Sequence, residues 1–345
     1  MTDVALRAGV SVSTVSHVLN KTRPVATSTV RRVLDAVAET GYVPDPVARA
    51  LENTGYGTIG LAMSALSNPY FSNVVHGIDR HASAAGYSLV LADTHDERDQ
   101  EIKAVGELLR RRVSAVLLAP AGDGAQSLSY ASKVDVPVIV IDRFIPAAVD
   151  QVAVDNIEPT AALVDHLASL GHTRIAMITG RAGLSTTDER RDGYLLGLRR
   201  NGIDADPRYA SEGDSTELGA KAAVGRLLSL PDRPTALVVG NNRMTIGALR
   251  ALRDAGLAVP EDMALVCFDD FEWADLFHPR LTAMAQPALS IGEQAVSMAL
   301  SRITTPSLPP RRLTINPAFM HRESCGCGRS AAPPTMVAGF PAPER

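Results

Sequence analysis

The sequence predicts an α/β protein: a small all-helical head, a short joint, and a body of two doubly wound parallel sheets side by side. Three observations carry this. Residues 1–41 hold three amphipathic helical stretches, broken by Gly9 and a polar loop and closed by Gly41. Residues 53–57 read Asn-Thr-Gly-Tyr-Gly, the composition of a flexible joint. From Thr58 onward, short apolar runs alternate with amphipathic helical stretches in two successive rounds. Strands that alternate with helices, and are apolar almost throughout, belong to parallel sheets covered on both faces.

The head follows from local patterning. Thr2 to Ala8 places Val4, Ala5 and Ala8 on one helical side, and Gly9 breaks the helix. Ser11 is placed to cap a second helix through Leu19, with Val15, Val18 and Leu19 as its apolar face. Asn20 to Ala26 is a polar loop containing Pro24. Thr27 or Ser28 is expected to cap a third helix, whose Val30, Val33, Leu34, Val37 and Ala38 recur at helical spacing up to Gly41.

In the body, strands are expected at 58–63, 87–92, 115–119, 136–142 and 151–155, with helices at 72–86 and 98–112. The second round begins at Pro159, with helices at 159–170, 188–201, 218–230 and 244–255. Its strands are 174–179, 236–239 and 264–268. Residues from about 331 onward are Pro- and Ala-rich and predict a disordered end.

Composition bounds the function. A chain of 345 residues, 46% apolar, fits two or three domains with real cores. The formal charge of −4 argues, taken whole, against a nucleic-acid binder. It divides unevenly, however: residues 1–51 carry six basic and four acidic side chains, net +2, which leaves −6 for the rest. Three cysteines exclude a disulfide scaffold. Cys267 sits apart in an apolar run, and Cys325-Gly326-Cys327, with no other Cys beside it and no metal-spaced His pair among eight histidines, offers too few ligands for zinc, so the thiols read as incidental and no metal or cofactor is expected. The N-terminus lacks a basic stretch followed by an apolar one, and no apolar run approaches the roughly 20 residues of a membrane span. A cytoplasmic protein with no membrane partner is expected.

Helix, tight glycine turn and helix is the helix-turn-helix geometry that lays one helix in the DNA major groove. The stretch DVALRAGVSVSTVSHVLN, followed by GYVPDPVARAL, resembles the DNA-binding head and hinge of the lac repressor (LacI/GalR) family. The resemblance continues through SNPYFSNVVHGID, VIVIDR, VAVDN, HLASLGHTRIAMITG, ERRDGYLLGL, DRPTALVVGNNRM, GALRALRDAGLAVPEDMALVCFDD and LTAMAQP, and covers residues 2–324. It implies a helix-turn-helix head at 1–45, a hinge helix and linker at 46–57, and a two-lobed periplasmic-binding-protein-like core at 58–324. The first lobe would be 58–157 plus 287–313, the second 158–285 plus 314–324, with a disordered tail at 325–345.

The resemblance also implies roles. Val12, Ser13 and His17 stand where base edges are read, and Thr14 and Ser16 where phosphates are met. Asn20 and Ala48 complete the DNA-facing set. Leu51 stands where a hinge leucine wedges into the minor groove, so a homodimer inserting two leucines into a palindromic, double-stranded operator follows. Arginine is commoner in the family where His17 stands, and basic residues where Glu52 to Gly57 stand. The chain also begins a few residues later than most members.

In the body, Asn68, Tyr70, Phe71, Asp142, Arg143, Arg190, Asn241, Asp269 and Gln286 match positions that hold a pentose or hexose in the relatives. The chemistry agrees. A sugar-like effector needs paired hydrogen bonds to adjacent hydroxyls, which planar Asp, Arg and Asn supply, and an aromatic face for its C–H surface. Most of these residues fall at the carboxyl ends of expected strands, where open α/β sheets bind ligands. Asp155 and Asn156 serve equally as hinge residues between lobes. Ser215 stands where an aromatic often stacks on the ligand.

No phosphate-loop, zinc-protease or nucleophile-elbow motif is present, and Gly180-Arg181-Ala182-Gly183 is only an echo of a phosphate loop, so an enzyme is not expected. The reading is a transcriptional regulator, a repressor, whose DNA affinity is set by a small sugar-like effector. The alternatives are a sugar-responsive activator, a sensor of a nucleobase or other metabolite, and, in another class, a periplasmic-type solute-binding protein, which the absent signal peptide disfavours.

Overall fold

The computed structural model describes residues 1–20, 23–42, 57–64 and 68–327. Ala48, Leu51 and the expected tail from 328 onward lie outside these residues.

The head contains α1 (Thr2–Ala8), α2 (Val12–Asn20) and α3 (Thr27–Thr40). Gly9 and Gly41 both adopt left-handed backbone, φ 61° and 59°, and stop α1 and α3 at the point where a side chain would be strained. Ser11 caps α2: its Oγ accepts from the Thr14 N–H at 3.1 Å. The cap of α3 differs from expectation. Ala26 is the N-cap, its carbonyl accepts from the N–H groups of Thr29 and Val30, and Thr27 is already helical with no side-chain cap. The buried stripe of α3 also differs, because Val33 and Ala36 are buried while Leu34 is 52% exposed. A three-helix core covers only a narrow stripe of each helix, and Leu34 lies off it. Val4, Ala5, Ala8, Val15 and Val18 complete that core.

The body begins with β1 (Thr58–Met63), α4 (Pro69–Ala84), β2 (Ser88–Asp93), α5 (Arg98–Arg110), β3 (Ala115–Leu118), α6 (Ala125–Ser132), β4 (Val138–Asp142) and β5 (Asp150–Val154). The second round is α7 (Ile157–Ser169), β6 (Ile175–Thr179), α8 (Ser185–Arg200), a 3-10 turn (Pro207–Tyr209), β7 (Ala210–Glu212), α9 (Glu217–Leu228), β8 (Ala236–Val239), α10 (Asn242–Asp254), β9 (Ala264–Phe268) and β10 (Thr282–Ala285). The chain closes with α11 (Ala288–Thr304), β11 (Arg312–Ile315) and β12 (Ala318–Met320).

Two six-stranded sheets result, ordered β11-β5-β4-β3-β1-β2 and β12-β10-β9-β8-β6-β7. The pairings of β1 with β3, β3 with β4, β4 with β5 and β5 with β11 are parallel. In the second sheet only β10 with β12 is antiparallel. The central strands β3, β5, β6, β8 and β9 are buried along their whole length, and β3, β8 and β9 accordingly read as unbroken apolar runs, while β5 opens with the buried Asp150 and Gln151. The chain passes between the lobes three times, after β5, β10 and β11.

Two boundaries shift. β11 stays hydrogen-bonded to β5 through Ile315, so the last crossover follows 315 rather than 313. Cys325 is fully buried in the second lobe's core beside Phe319, and Cys327 packs against it, so the body runs through 327 instead of giving way to a tail at 325. α6 and β7 carry too few residues to show a period, which hides them in the sequence. One buried charge braces the first lobe. The Asp150 carboxylate meets Arg302 at 2.9 Å and Arg311 at 3.4 Å, the pairing that a desolvated carboxylate requires.

Candidate functional site

All nine body residues singled out above surround one cleft between the two sheets of the body. The cleft encloses about 680 Å³ including its open mouth. Most lining residues leave a strand end or the helix that follows, the place where a parallel sheet's apolar run stops and polar atoms become tolerable. The first lobe contributes Asn68, Tyr70 and Phe71 after β1, and Asp142 and Arg143 at the end of β4. The second contributes Arg190 from α8, Asn241 after β8 and Asp269 after β9. Gln286 sits at a crossover.

The first-lobe pair is tightly organised. Arg143 donates from Nε to Asp142 at 3.1 Å, and from Nη1 to Asp96 and to the Pro120 carbonyl, both at 2.9 Å. Burial works against its charge, but Asp142 and Asp96 win and hold the guanidinium above its ordinary pKa. The second-lobe pair is looser. Arg190 donates to the Asn156 side-chain oxygen at 2.8 Å and to the Gly240 carbonyl at 2.5 Å, and lies 3.8 Å over the Phe268 ring. Its approach to Asp269 is only 3.9 Å. Asp269 accepts from the Gln286 amide. Burial pushes the Asp269 carboxyl up, and Arg190 and Gln286 offset that only in part.

The Gln286 Oε1 is buried in the cleft without a hydrogen-bond partner, and the Tyr70 hydroxyl is buried beside Asp142, the one group placed to accept from it. Burial, with Asp142 and Asp269 nearby, holds Tyr70 well above its ordinary pKa, so it remains a donor. Tyr70 and Phe71 pack at 5.0 Å between ring centroids. Asn241 caps α10 by accepting from the Met244 N–H at 2.8 Å, so its carbonyl oxygen is committed to structure.

Asp96, Ser64, Thr186, Thr187 and Arg243 also line the cleft and were not singled out in the sequence. Asp96 had a signal, the polar run Thr94 to Arg98 just after a strand. Ser215 lines the cleft but accepts from the Arg181 N–H at 2.9 Å. Arg181 also donates to the carbonyls of His95 and Asp96 at 3.3 Å, so the loop that echoed a phosphate binder joins the lobes instead. Asp155 and Asn156 do not line the cleft. The Asn156 amide joins Glu189 and Arg190, and Asp155 accepts from the Ile157 N–H.

In the head, Val12 and Ser13 are exposed at the start of α2, while Thr14, Ser16 and His17 are half-buried along it. The Thr14 hydroxyl is held by Ser11 at 2.8 Å.

The cysteine reading is corrected in part. Cys267 is a buried thiol pushed up to about 12 by burial, as an inert thiol should be. Cys325 and Cys327 are not alone, because the fold brings His166 from α7 and His321 from just after β12 beside them. The spacing of the histidines along the chain hides this.

Comparison with known proteins agrees with the two-part layout. Residues 1–45 match the family "Bacterial regulatory proteins, lacI family", and residues 164–325 match the "Periplasmic binding protein-like domain". The chain is 36% identical over 330 residues to the ribose operon repressor of Escherichia coli K12, covering 94% of this chain and 99% of that protein. It is 33% identical to the HTH-type transcriptional repressor PurR of Aliivibrio salmonicida, covering 93% and 97%. The lac repressor dimer bound to operator and an anti-inducer superposes with a TM-score of 0.83 at 29% identity, covering 94% of this chain and 98% of that one. These relatives are transcriptional repressors rather than enzymes. Among the described residues no helix is long and apolar enough to cross a membrane. A helix-turn-helix head joined to a two-lobed, cleft-bearing body, with a 36% identical repressor aligned along nearly its whole length, makes this chain a DNA-binding transcriptional regulator of the lacI family.

Proposed function

We propose that the chain is a cytoplasmic, dimeric repressor of a palindromic operator whose affinity is set by a sugar or sugar derivative in the cleft. One observation carries the effector assignment: the Gln286 Oε1 is buried without a partner, and the Tyr70 hydroxyl is buried with only Asp142 to accept from it, in a cleft flanked by two carboxylates and two guanidiniums. An unsatisfied buried polar atom costs about 1–3 kcal/mol, so the cleft favours a ligand dense in hydroxyls. Asp142 and Asp269 can accept, and Arg143 and Arg190 donate, in the planar pairs that adjacent hydroxyls match. Tyr70 and Phe71 offer an apolar face. A relative is named for the ribose operon, and a further neighbour, with a TM-score of 0.72 and 31% identity, is described as a complex with cellobiose. The effector acts through its differential affinity for two arrangements of the lobes.

Thermal-shift screening against monosaccharides and their phosphates tests this. A true effector at 100 times its Kd adds about 2.7 kcal/mol and raises the melting temperature. No shift with any sugar, alongside a clear shift with a nucleobase, overturns the ligand class.

On DNA, Val12, Ser13 and His17 are assigned to base edges, Thr14 and Ser16 to phosphates, Asn20 to the DNA-facing set, and Ala48 and Leu51 to the hinge. An imidazole N–H of His17 can donate one hydrogen bond to guanine where arginine would make two. Leu51→Ala is expected to weaken specific operator binding roughly 10- to 100-fold, since two inserted leucines lose burial and spare only part of the unstacking cost. Nonspecific binding, which rests on charge, should barely change. Equal losses on operator and random DNA, measured at one salt concentration, would remove the hinge assignment.

A further inference from the structure

We propose that His166, His321, Cys325 and Cys327 form a Cys2His2 site for a zinc ion that clamps the end of the body onto α7. The four ligand atoms all lie within 4.8 Å of one another. The two sulfurs are 3.2 Å apart, and the Cys327 sulfur is 3.3 Å from His166 Nε2. A tetrahedral zinc with bonds of about 2.3 Å to sulfur and 2.0–2.1 Å to nitrogen sets its ligand atoms roughly 3.3–3.8 Å apart. The quartet therefore needs only small side-chain adjustments to close on an ion.

A second observation points to a missing ligand. His321 Nε2 is buried and has no hydrogen-bond partner, although a buried imidazole normally satisfies both ring nitrogens. The rings of His166 and His321 meet edge to face at 5.0 Å, and Phe319 closes the apolar side at 5.3 Å from His166.

The donor set selects the metal. Two thiolates and two imidazoles suit a borderline-soft ion and repel magnesium and calcium, which require oxygen. Two thiolates also neutralise a divalent cation, so the loaded centre adds no net charge to a half-buried place. Binding displaces the two thiol protons to solvent.

The supports are rigid. Ser324 donates from Oγ to the Leu265 carbonyl at 2.6 Å and accepts from the Thr282 N–H at 2.9 Å, which fixes the backbone beside Cys325. His166 rides on the last turn of α7, which packs against the same sheet. An ion here would tie the chain at 166 to the chain at 321–327, closing a long loop and stabilising the second lobe. None of the four residues lines the interlobe cleft, so the site is separate from the effector's.

The test uses the full chain without an affinity tag, purified under reductant and without chelator. Elemental analysis should find zinc at one ion per chain. Exchange with cobalt(II) should give the visible bands of a tetrahedral ion and the near-ultraviolet charge-transfer band of two thiolates. His321→Gln and Cys327→Ser should each weaken zinc binding at least tenfold, while operator binding by loaded wild type persists. A chelator should lower the melting temperature of wild type but not of the double variant. Should the variants fail to fold, the cobalt spectrum of wild type decides alone. A chain that stays metal-free after incubation with zinc and dialysis overturns the proposal. So does a cobalt spectrum without thiolate charge transfer, or a mass 2 Da low from a Cys325–Cys327 disulfide in the reduced preparation.

Discussion

Asp269→Asn is expected to raise the melting temperature of the ligand-free protein at neutral pH while abolishing its response to effector. The carboxylate is 2% exposed, and burial pushes its pKa above the ordinary value. Its folded-state pKa thus exceeds its unfolded one. The stability linked to this group is fully present below the unfolded pKa and is lost as pH rises through the folded pKa. Above the ordinary carboxylate range the buried acid is therefore a cost to folding. Arg190, at 3.9 Å, is too far for the close pairing that would cancel it. Asparagine keeps an oxygen for the Gln286 amide and removes the charge. Arg190 retains Asn156 and the Gly240 carbonyl, so little is orphaned.

Thermal or urea midpoints of wild type and variant should diverge with rising pH, the gap being larger at pH 7.5 than at pH 4.5. A lower midpoint for the variant at pH 7.5 would mean that the Arg190 pairing dominates after all. An intact effector response would remove Asp269 from the ligand's acceptors. The two outcomes are separable, because one is read without ligand. Together they describe a functional site that stores instability until its ligand supplies the missing partners.

Gly193→Ala is expected to destabilise the second lobe by about 3 kcal/mol, a drop of roughly 6–12 °C in melting temperature. Helix propensity alone would favour alanine by about 1 kcal/mol. Packing overrides it. A Cβ at Gly193 would stand 2.3 Å from the Ile157 carbonyl oxygen and 2.9 Å from the Thr160 Cβ. One turn on, a Cβ at Gly197 would stand 2.6 Å from the Val164 Cβ and 2.9 Å from the Ala161 oxygen. Two of these four obstacles are backbone oxygens of α7, which cannot rotate aside. The two glycines, four residues apart, lie on one face of α8 and allow it to cross α7 at backbone contact.

The consequence reaches the cleft, because α8 carries Arg190 and the N-cap of α7 is Asn156, which holds that arginine. Gly193→Ala should therefore weaken effector binding as well as stability. Gly225→Ala on α9, where nothing lies within 4 Å, is the control and should be neutral or slightly stabilising. Equal stability of Gly193→Ala and wild type, measured by calorimetry, would contradict the close crossing.

The cleft was largely legible in the sequence because a parallel sheet announces its own binding edge. An apolar run such as Val138 to Ile141 ends at Asp142, and Ala264 to Phe268 ends at Asp269, both carboxylates with positive φ at the point where the strand stops. The family resemblance singled these positions out, and their place at strand ends agrees with it, although a strand-end polar residue can also serve structure, as Asn241 does in capping α10. Asp96 and Thr187 were less visible. They enter the cleft through loop path and helix rotation, which no period in the sequence records.

The head shows the same division. Its three helices follow from Gly9, Ser11 and Gly41, but the exposure of Leu34 depended on how little surface three short helices can cover.

The sequence by itself determined the two-part organisation, the class of both sheets, the strand-end polar residues, and a −4 total that conceals a +2 head. These are consequences of local patterning: hydrophobic period, glycine backbone freedom, and charge counted by segment. Only the tertiary structure decided which polar atoms stay without partners, that Asp269 is held off from Arg190, and that α7 and α8 touch at glycines. It also carried His166 to His321, Cys325 and Cys327 across more than 150 residues of chain, a meeting set by the return of β12 to the second sheet. Desolvation and long-range juxtaposition arise only when separate elements pack, so no window of sequence contains them.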